Sequence, residues 1–164
     1  MAKNVSAIPR GYHTVTPYLS VHNAAQALDF YKRAFGAEEV MRMNGPQGTV
    51  SHAEIKIGDS IVMIAEEASS SGLRSPQSLG GSTVSIFLYL NDVDTAFKQA
   101  ISAGAKEQEP LRNMFWGDRY GRLTDPFGHS WSLATHIEDV APEEMQKRAQ
   151  EAMKTTQRAH AAGS

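Results

Sequence analysis

Few side chains in this 164-residue chain could bind a metal or act as a nucleophile. The chain has no cysteine, which excludes disulfides, thiolate nucleophiles and every cysteine-based zinc or iron–sulfur site. Any metal must therefore be held by histidine or carboxylate side chains. No two histidines form the close His-x-x-x-His pair that is typical of a helix-borne metal site. The six histidines are His13, His22, His52, His129, His136 and His160.

Three of the candidate groups could share one surface. His52 and Glu54 are two residues apart in an alternating stretch, and His136 ends a second such stretch. Because alternate residues of a strand point to the same face, these three side chains could hold a metal or act as general acid–base groups. The alternative is that His52 and Glu54 form hydrogen bonds with their neighbours and that His136 lies in solvent. The sequence leaves both possibilities open.

The elements that must position these groups form a unit that occurs twice. Residues 16–21 alternate polar and apolar side chains, as in a half-buried strand. Asn23 then stands where a helix N-cap is expected, with Gln26 spaced as in a capping box, and Gly36 stands where a glycine ends a helix. Residues 84–104 repeat this strand, cap, helix and glycine pattern. The repeat indicates that one supersecondary unit is used twice.

Three further strands are predicted after each helix, which makes each half of the chain a β-α-β-β-β module. The first module spans residues 12–67 and the second spans residues 83–137. The serine- and glycine-rich residues 68–82 between them predict a flexible linker. Residues 138–164 predict a helical tail that begins at proline and packs on its own domain or on a partner chain. The predicted fold class is α+β, in one domain.

Each module has one apolar face and one mixed face. The apolar residues of the strands fall on the face that the helix covers, and the opposite face carries polar and aromatic side chains. Such a mixed face is typical of the inside of a ligand-binding cup. Its predicted members are Thr16, Tyr18, Ser20, His52, Glu54, Lys56, Ser85, Phe87, Tyr89, Ser130, Ser132 and His136.

Aromatic and cationic residues could contact a ligand in that cup. The rings of Tyr18, Phe87 and Tyr89 could stack on a flat molecule, or they could fill the cup as packing. Trp116 and Arg119 lie in a predicted loop, where the Arg119 guanidinium could hold an anionic or planar ligand. Alternatively, Arg119 pairs with Asp118 and only shapes the loop.

Composition limits the class of partner. The chain is 41% hydrophobic and 21% charged, with a formal net charge of −2, which is typical of a globular domain and argues against binding to nucleic acid or to an anionic membrane. No apolar run approaches the roughly 20 residues of a membrane span, and the N-terminal residues lack the apolar stretch of a signal peptide. The expected compartment is the cytoplasm.

The motifs of the chain resemble those of the vicinal oxygen chelate superfamily, which comprises glyoxalases, bleomycin-resistance proteins and extradiol dioxygenases. The resemblance covers residues 12–137 and rests on LDFYKRAFGA at 28–37 and RLTDPFGHSWSL at 122–133. Residues 15–21, 52–64 and 116–131 are most similar to the PhnB-like branch. The resemblance implies the glyoxalase/bleomycin-resistance fold, in which tandem modules form a curled mixed sheet around a cup.

Catalytic members of this superfamily hold a divalent metal with four histidine or glutamate side chains from the first and last strands of each module. The resemblance carries these positions onto Thr16, Ser85 and Ser132, with Val62 or Met63 as the fourth. Neutral hydroxyl and apolar side chains do not supply the charge that such a metal needs. We therefore predict no metal and no other cofactor.

The resemblance then predicts a binding protein that holds a small aromatic or antibiotic-like molecule in the cup. The weak net charge argues against bleomycin itself, which is cationic. The alternative is a metal-dependent lyase, isomerase or dioxygenase with relocated ligands. Open sheet edges predict a homodimer, and no nucleic acid or membrane partner is expected. The predicted ligand-binding residues are Thr16, Tyr18, His52, Glu54, Ser85, Phe87, Tyr89, Trp116, Arg119, Ser132 and His136.

Overall fold

A computed structural model describes residues 5–162, with backbone only for residue 69 and residues 156–162. It has an α+β fold, as predicted. No helix in the described part of the chain is both long and apolar enough to cross a membrane. The elements are β1 (Tyr18–Val21), α1 (Ala24–Phe35), β2 (Glu38–Asn44), β3 (Val50–Ile57), β4 (Ser60–Glu66), α2 (Pro76–Leu79), β5 (Ser85–Tyr89), α3 (Val93–Ala103), β6 (Lys106–Asn113), β7 (Asp118–Thr124), β8 (Ser130–His136) and α4 (Pro142–Ala162).

The strands form two four-stranded mixed sheets with the same topology. The first sheet has the order β1-β4-β3-β2 and the second has the order β5-β8-β7-β6. In each sheet the first strand runs parallel to the last strand of its module, and the remaining neighbours are antiparallel. The β-α-β-β-β pattern predicted for each half is therefore confirmed.

Each long helix is anchored at its N-terminus to the last strand of its own module. The Asn23 side chain accepts a hydrogen bond from the backbone N–H of Gln26, as expected for an N-cap. The carboxylate of Glu66 on β4 accepts the N–H groups of Asn23 and Ala24 at 2.6 and 2.7 Å. These donors would otherwise be unpaired at the start of α1.

In the second module a threonine hydroxyl has the role that the Glu66 carboxylate has in the first. Asp92 accepts from the N–H of Thr95 at 3.0 Å, so the predicted cap is confirmed. Thr135 on β8 accepts the N–H of Val93 at 2.9 Å. The repeated strand and helix are thus joined in both modules by a side chain from the last strand.

The two modules share one hydrophobic core on the helix-facing sides of their sheets. Helices α1 and α3 pack against each other, and the rings of Tyr31 and Phe35 contact Trp131 of the second sheet at centroid distances of 5.4 and 4.7 Å. The Tyr31 hydroxyl donates to buried Asp125 at 2.7 Å, and burial raises the pKa of this hydroxyl well above its usual value. The opposite face of each sheet, called here the outer face, points away from this core.

The segment between the modules is packed against the domain. Ser75 and Pro76 are buried at the start of α2. The Glu67 carboxylate accepts the backbone N–H of Ser75 and the hydroxyl of Ser78 at 3.0 and 2.6 Å. These hydrogen bonds lower the pKa of Glu67 to about 2. Residues 68–82, which were expected to be a flexible linker, therefore contain a turn of helix.

The tail helix α4 begins at Pro142, as predicted. Arg148 of this helix pairs with Glu144 one turn earlier and forms two hydrogen bonds with Glu138, which precedes the helix. These carboxylates raise the pKa of Arg148. These ion pairs stabilise the first turns of α4 and connect the helix to Glu138, which lies just after β8.

Candidate ligand-binding site

Four aromatic residues of the second module form a continuous patch on its outer face. Phe87 lies at centroid distances of 4.9 Å from Tyr89 and 5.8 Å from Tyr120, and Trp116 contacts Tyr120 at 5.7 Å. Phe87 and Tyr89 are 45% and 66% exposed. Contiguous exposed apolar groups mark binding surfaces more often than isolated ones do. We call Phe87, Tyr89, Trp116 and Tyr120 the aromatic surface.

A buried carboxylate fixes two of these rings. Asp118 is 3% exposed, and its Oδ2 accepts hydrogen bonds from the Tyr89 hydroxyl and from Nε1 of Trp116, both at 3.0 Å. Burial and the bond to Asp118 raise the pKa of the Tyr89 hydroxyl. The buried Asp118 side chain therefore fixes the positions of the Tyr89 and Trp116 rings.

The second oxygen of Asp118 is bound to a histidine. Nδ1 of His136 lies 2.8 Å from Asp118 Oδ1, and Nε2 of His136 lies 3.0 Å from Asp139. Carboxylates only accept hydrogen bonds, so both contacts favour the doubly protonated ring. The pKa of His136 is therefore raised, first by Asp118 and then by Asp139.

A row of hydroxyl groups runs beside the aromatic surface. Ser132 Oγ lies 3.1 Å from Ser85 Oγ and 3.2 Å from the Tyr120 hydroxyl, and Ser130 donates to Ser85 at 3.3 Å. Each hydroxyl can both donate and accept. The row can therefore reorient its hydrogen bonds toward a polar group of a bound molecule.

The outer face of the first module is partly covered by the chain itself. The Tyr12 hydroxyl donates to the buried Glu54 carboxylate, which raises the pKa of Tyr12. The segment from Ala7 to Thr16 faces Glu54 and Met63 across a cavity of about 430 Å³. The two outer faces therefore differ, because that of the first module meets an N-terminal segment and that of the second presents exposed rings.

His52 connects Glu54 with Tyr18 on this first outer face. Nε2 of His52 is 3.6 Å from Glu54 Oε1, and Nδ1 is 3.4 Å from the Tyr18 hydroxyl. The Tyr18 ring meets His52 edge-on at 5.6 Å and is 51% exposed. His52 and Glu54 therefore lie next to each other on β3, as the sequence suggested.

A groove of about 940 Å³ runs between the edge strands β1 and β5. Tyr18 and Ser20 of the first outer face border it on one side, and Ser85 and Phe87 of the second border it on the other. Its volume lies at the upper end of the range of small-molecule sites. The groove is where predicted site residues of the two modules come closest.

The four positions of the superfamily metal site do not fit a divalent metal. The parallel register pairs Phe87 with Ser132 in the second module and Tyr18 with Met63 in the first. Met63 is therefore the counterpart of Ser132, whereas Val62 is buried in the core and is not a site position. The fourth position, Thr16, precedes β1 and donates its hydroxyl to the backbone of His13. Two serines, a threonine and a methionine lack the charge and basicity of metal ligands.

The relocated metal site is not assembled. His136 is bound by Asp118 and Asp139 in the second module, whereas His52 and Glu54 lie in the first sheet. Among the described residues, no three histidine or carboxylate side chains are placed to share a metal ion. His52, Glu54 and His136 therefore do not form the relocated metal site that the sequence left open.

Arg119 lies on the face opposite the aromatic surface. Its guanidinium forms two hydrogen bonds of 2.6 Å with Asp94 at the start of α3. The pair lowers the pKa of Asp94 and raises that of Arg119. Strand β7 alternates, so Arg119 faces the helix while Asp118 and Tyr120 face outward. Its partner is Asp94 rather than Asp118, and we leave Arg119 out of the proposed ligand site.

Sequence reasoning missed Tyr120 and the central position of Asp118. Both lie on β7, where residues 118, 120 and 122 alternate with the helix-facing residues. The sequence interpretation placed Asp118 in a loop and therefore did not extend the alternation back to it. A strand beginning at Asp118 would have put both residues on the outer face beside Ser132.

Comparison with known sequences identifies the family. A sequence model of the Glyoxalase/Bleomycin resistance protein/Dioxygenase superfamily matches residues 12–133. The chain belongs to this superfamily. The match spans both modules and ends within β8, so the assignment covers the whole repeated part of the fold.

Individual relatives agree with this assignment. The uncharacterized protein Mb0911c of Mycobacterium bovis is 43% identical over 135 residues, covering 80% of this chain and 89% of that protein. The X-ray structure of the Arabidopsis thaliana gene product At5g48480 is 30% identical, with a TM-score of 0.62, covering 74% and 98% of the two chains. The crystal structure of TioX from Micromonospora sp. ML1 is 26% identical, with a TM-score of 0.61, covering 76% and 99%.

Proposed function

We propose that this chain binds a small aromatic or antibiotic-like molecule in the groove between β1 and β5, without a metal and without catalysing a reaction. The observation that carries this proposal is the exposed aromatic surface beside a groove of about 940 Å³. The same region has serines and methionine where catalytic members of the superfamily would hold a metal.

The physical basis is the burial of exposed ring area. Phe87 and Tyr89 together expose a large part of their surface to water, and covering apolar area contributes roughly 25 cal/mol per Å². Stacking of a flat ligand adds to this where ring faces meet. Asp118 keeps Tyr89 and Trp116 in place before the ligand arrives, which reduces the entropy lost on binding.

We also propose that two copies associate. Among the described strands, β1 is paired only with β4 and β5 only with β8, so both groove strands present one open edge. A second copy pairing with these edges would cover them. Sedimentation should give twice the chain mass of 17.9 kDa, and a mass of one chain would contradict the dimer. The same measurement after removal of residues 142–164 tests whether the tail contributes.

Two finer assignments belong to the same proposal. The motifs at residues 15–21, 52–64 and 116–131 support membership of the PhnB-like branch. A chain without cysteine that binds small molecules also suits the cytoplasm. Fractionation of cells that make the protein tests the second assignment directly.

A thermal-shift screen tests the binding proposal. A ligand at one hundred times its Kd stabilises the folded state by about 2.7 kcal/mol, which for a chain of this size raises Tm by roughly 5–10 °C. We expect at least one member of a panel of aromatic antibiotics and aromatic metabolites to do so. No stabilisation by any member at high micromolar concentration would contradict the proposal.

A further inference from the structure

The charged groups around the aromatic surface are already paired. Asp118 is bound to His136. Nη2 of Arg122, which follows Tyr120 on the same face of β7, lies 2.9 Å from Glu109, while the buried Nε of Arg122 has no hydrogen-bond partner among the described residues. His136 makes its second contact with Asp139. A charged ligand on this surface would therefore have to compete with an existing ion pair.

The groove lining adds one charged side chain, that of Arg74. Arg74 belongs to the segment between the modules and donates to the carbonyl of Ser78 at 2.8 Å. The second basic residue of the lining, His129, lies 3.0 Å from the carbonyl oxygen of Ser20. Neither residue is one of the four rings of the aromatic surface, although Phe87 lines the same groove. The polar groups in contact with the rings are hydroxyls and the ion-paired side chains named above.

The neutral polar groups next to the rings remain adaptable. The row of Ser130, Ser85, Ser132 and Tyr120 is held by hydrogen bonds between hydroxyls of 3.1 to 3.3 Å. Hydroxyl groups can exchange donor and acceptor roles by rotation. A ligand that offers its own hydroxyl or carbonyl group could join this row without disturbing an ion pair.

The size of the surface indicates the size of the ligand. The Phe87 ring lies at centroid distances of 4.9 Å from Tyr89 and 5.8 Å from Tyr120, and its plane is inclined to theirs by 39° and 27°. Three neighbouring rings at these spacings extend beyond a single six-membered ring. A ligand of two or more fused rings would cover them more completely and remove more apolar area from water.

We infer that the ligand class of this site is an uncharged, flat molecule of fused aromatic rings that carries hydroxyl or carbonyl groups. This inference rests on the proposed binding function and specifies its chemistry. The rings stack on the aromatic surface, and the oxygen atoms bind the hydroxyl row. The faces of Phe87 and Trp116 could also attract a cation, but the carboxylate bonded to Trp116, that of Asp118, already accepts three hydrogen bonds.

Four matched naphthalene probes test the inference on the unmodified protein. They are 2-naphthol, naphthalene itself, 2-naphthalenesulfonate as the anion and 2-(aminomethyl)naphthalene as the cation. The readout is the indole N–H signal in a two-dimensional NMR spectrum, because the chain has two tryptophans. Trp116 lies on the aromatic surface, and Trp131 is fully buried in the core, so its signal is an internal reference.

We expect 2-naphthol to shift the Trp116 signal with a Kd at least tenfold lower than that of either charged probe and severalfold lower than that of naphthalene. The double variant Ser85→Ala, Ser132→Ala should abolish the preference for 2-naphthol over naphthalene. The control Ser51→Ala, an exposed serine on β3 that donates to the backbone of Met43, should leave it unchanged.

Each contrary result has a distinct meaning. Tighter binding of the anion or the cation would overturn the uncharged class while leaving the binding function intact. Equal binding of naphthalene and 2-naphthol would overturn the assignment of the hydroxyl row. If none of the four probes moved the Trp116 signal while a molecule from the thermal-shift screen did, the inference would fail alone. If that molecule also left the signal unmoved, the proposed location of the site would fail with it.

Discussion

Asp118 and His136 form a short contact of 2.8 Å between a buried carboxylate and an imidazole on the outer face of the second sheet. The same carboxylate holds the rings of Tyr89 and Trp116. One buried acid therefore connects a titratable histidine to the surface that we propose binds the ligand. Both the stability of this region and the order of its rings should depend on that acid.

Replacing Asp118 with alanine should destabilise the protein. The Asp118→Ala change removes the acceptor of three hydrogen bonds, and leaving partly buried donors unpaired costs about 1–3 kcal/mol. Urea denaturation measures the free energy of unfolding. The control Asp59→Ala, in an exposed turn, should change it by less than about 0.5 kcal/mol. Equal effects of the two variants would contradict the role given to Asp118.

Stability should depend on pH through His136. Its pKa is raised in the folded state by Asp118 and Asp139, so its contribution is present below the unfolded value near 6.5 and is lost as the pH rises through the folded value. The difference in urea midpoint between the wild type and His136→Gln should therefore shrink as the pH rises from 6. Removal of Asp139 with Asp139→Asn should lower the pKa of His136 in an NMR titration. A midpoint difference that grows with pH would contradict this sign.

Glu66 should stabilise the start of α1. Its carboxylate accepts two N–H groups of the first helical turn, and loss of an N-terminal cap costs roughly 0.5–2 kcal/mol. Glu66→Ala should lower the free energy of unfolding by about that amount, and Thr135→Ala should have a comparable effect in the second module. The control Glu38→Ala, at an exposed position of β2, should have little effect. If Glu66→Ala matched this control, the anchoring of α1 to β4 would be wrong.

The hydroxyl of Tyr31 should contribute to the free energy that holds the two modules together. It donates to buried Asp125 of the second module at 2.7 Å, while Trp131 and two backbone N–H groups also bind that carboxylate. Tyr31→Phe should therefore cost about 0.5–1.5 kcal/mol, and Tyr18→Phe, at an exposed ring, should cost less. The result is checked by thermal denaturation of both variants. An unchanged Tm for Tyr31→Phe would argue against the shared core.

Local signals in the sequence were sufficient for the repeated fold. Asn23 and Asp92 cap the two helices because their side chains reach the backbone three residues ahead, and such spacing is visible in the sequence. Gly36 ends α1 with a φ of 63°, a value that favours glycine. The period of two along β5 likewise placed Ser85, Phe87 and Tyr89 on one face.

The position of each candidate side chain depends on contacts between residues that are far apart in the sequence. The pairing of Tyr18 with Met63 fixes which residue of β4 faces outward, and only the strand register decides between Val62 and Met63. The partners Arg119 and Asp94 are 25 residues apart, and Tyr12 and Glu54 are 42 apart. Side-chain chemistry alone named Arg119 and Glu54 as candidates, but tertiary packing determined which candidate residues face the groove.

The most direct measurement is an NMR map of the binding site for the strongest molecule from the thermal-shift screen. We expect the largest changes in backbone amide signals in residues 18–20 and 85–89, which border the groove, and in residues 118–120, together with the indole N–H of Trp116. We also expect Phe87→Ala to weaken binding at least tenfold while Tyr12→Phe, on the covered face of the first module, does not. Changes confined to residues 52–56 of the first sheet, or unchanged affinity for Phe87→Ala, would contradict ligand binding at the aromatic surface.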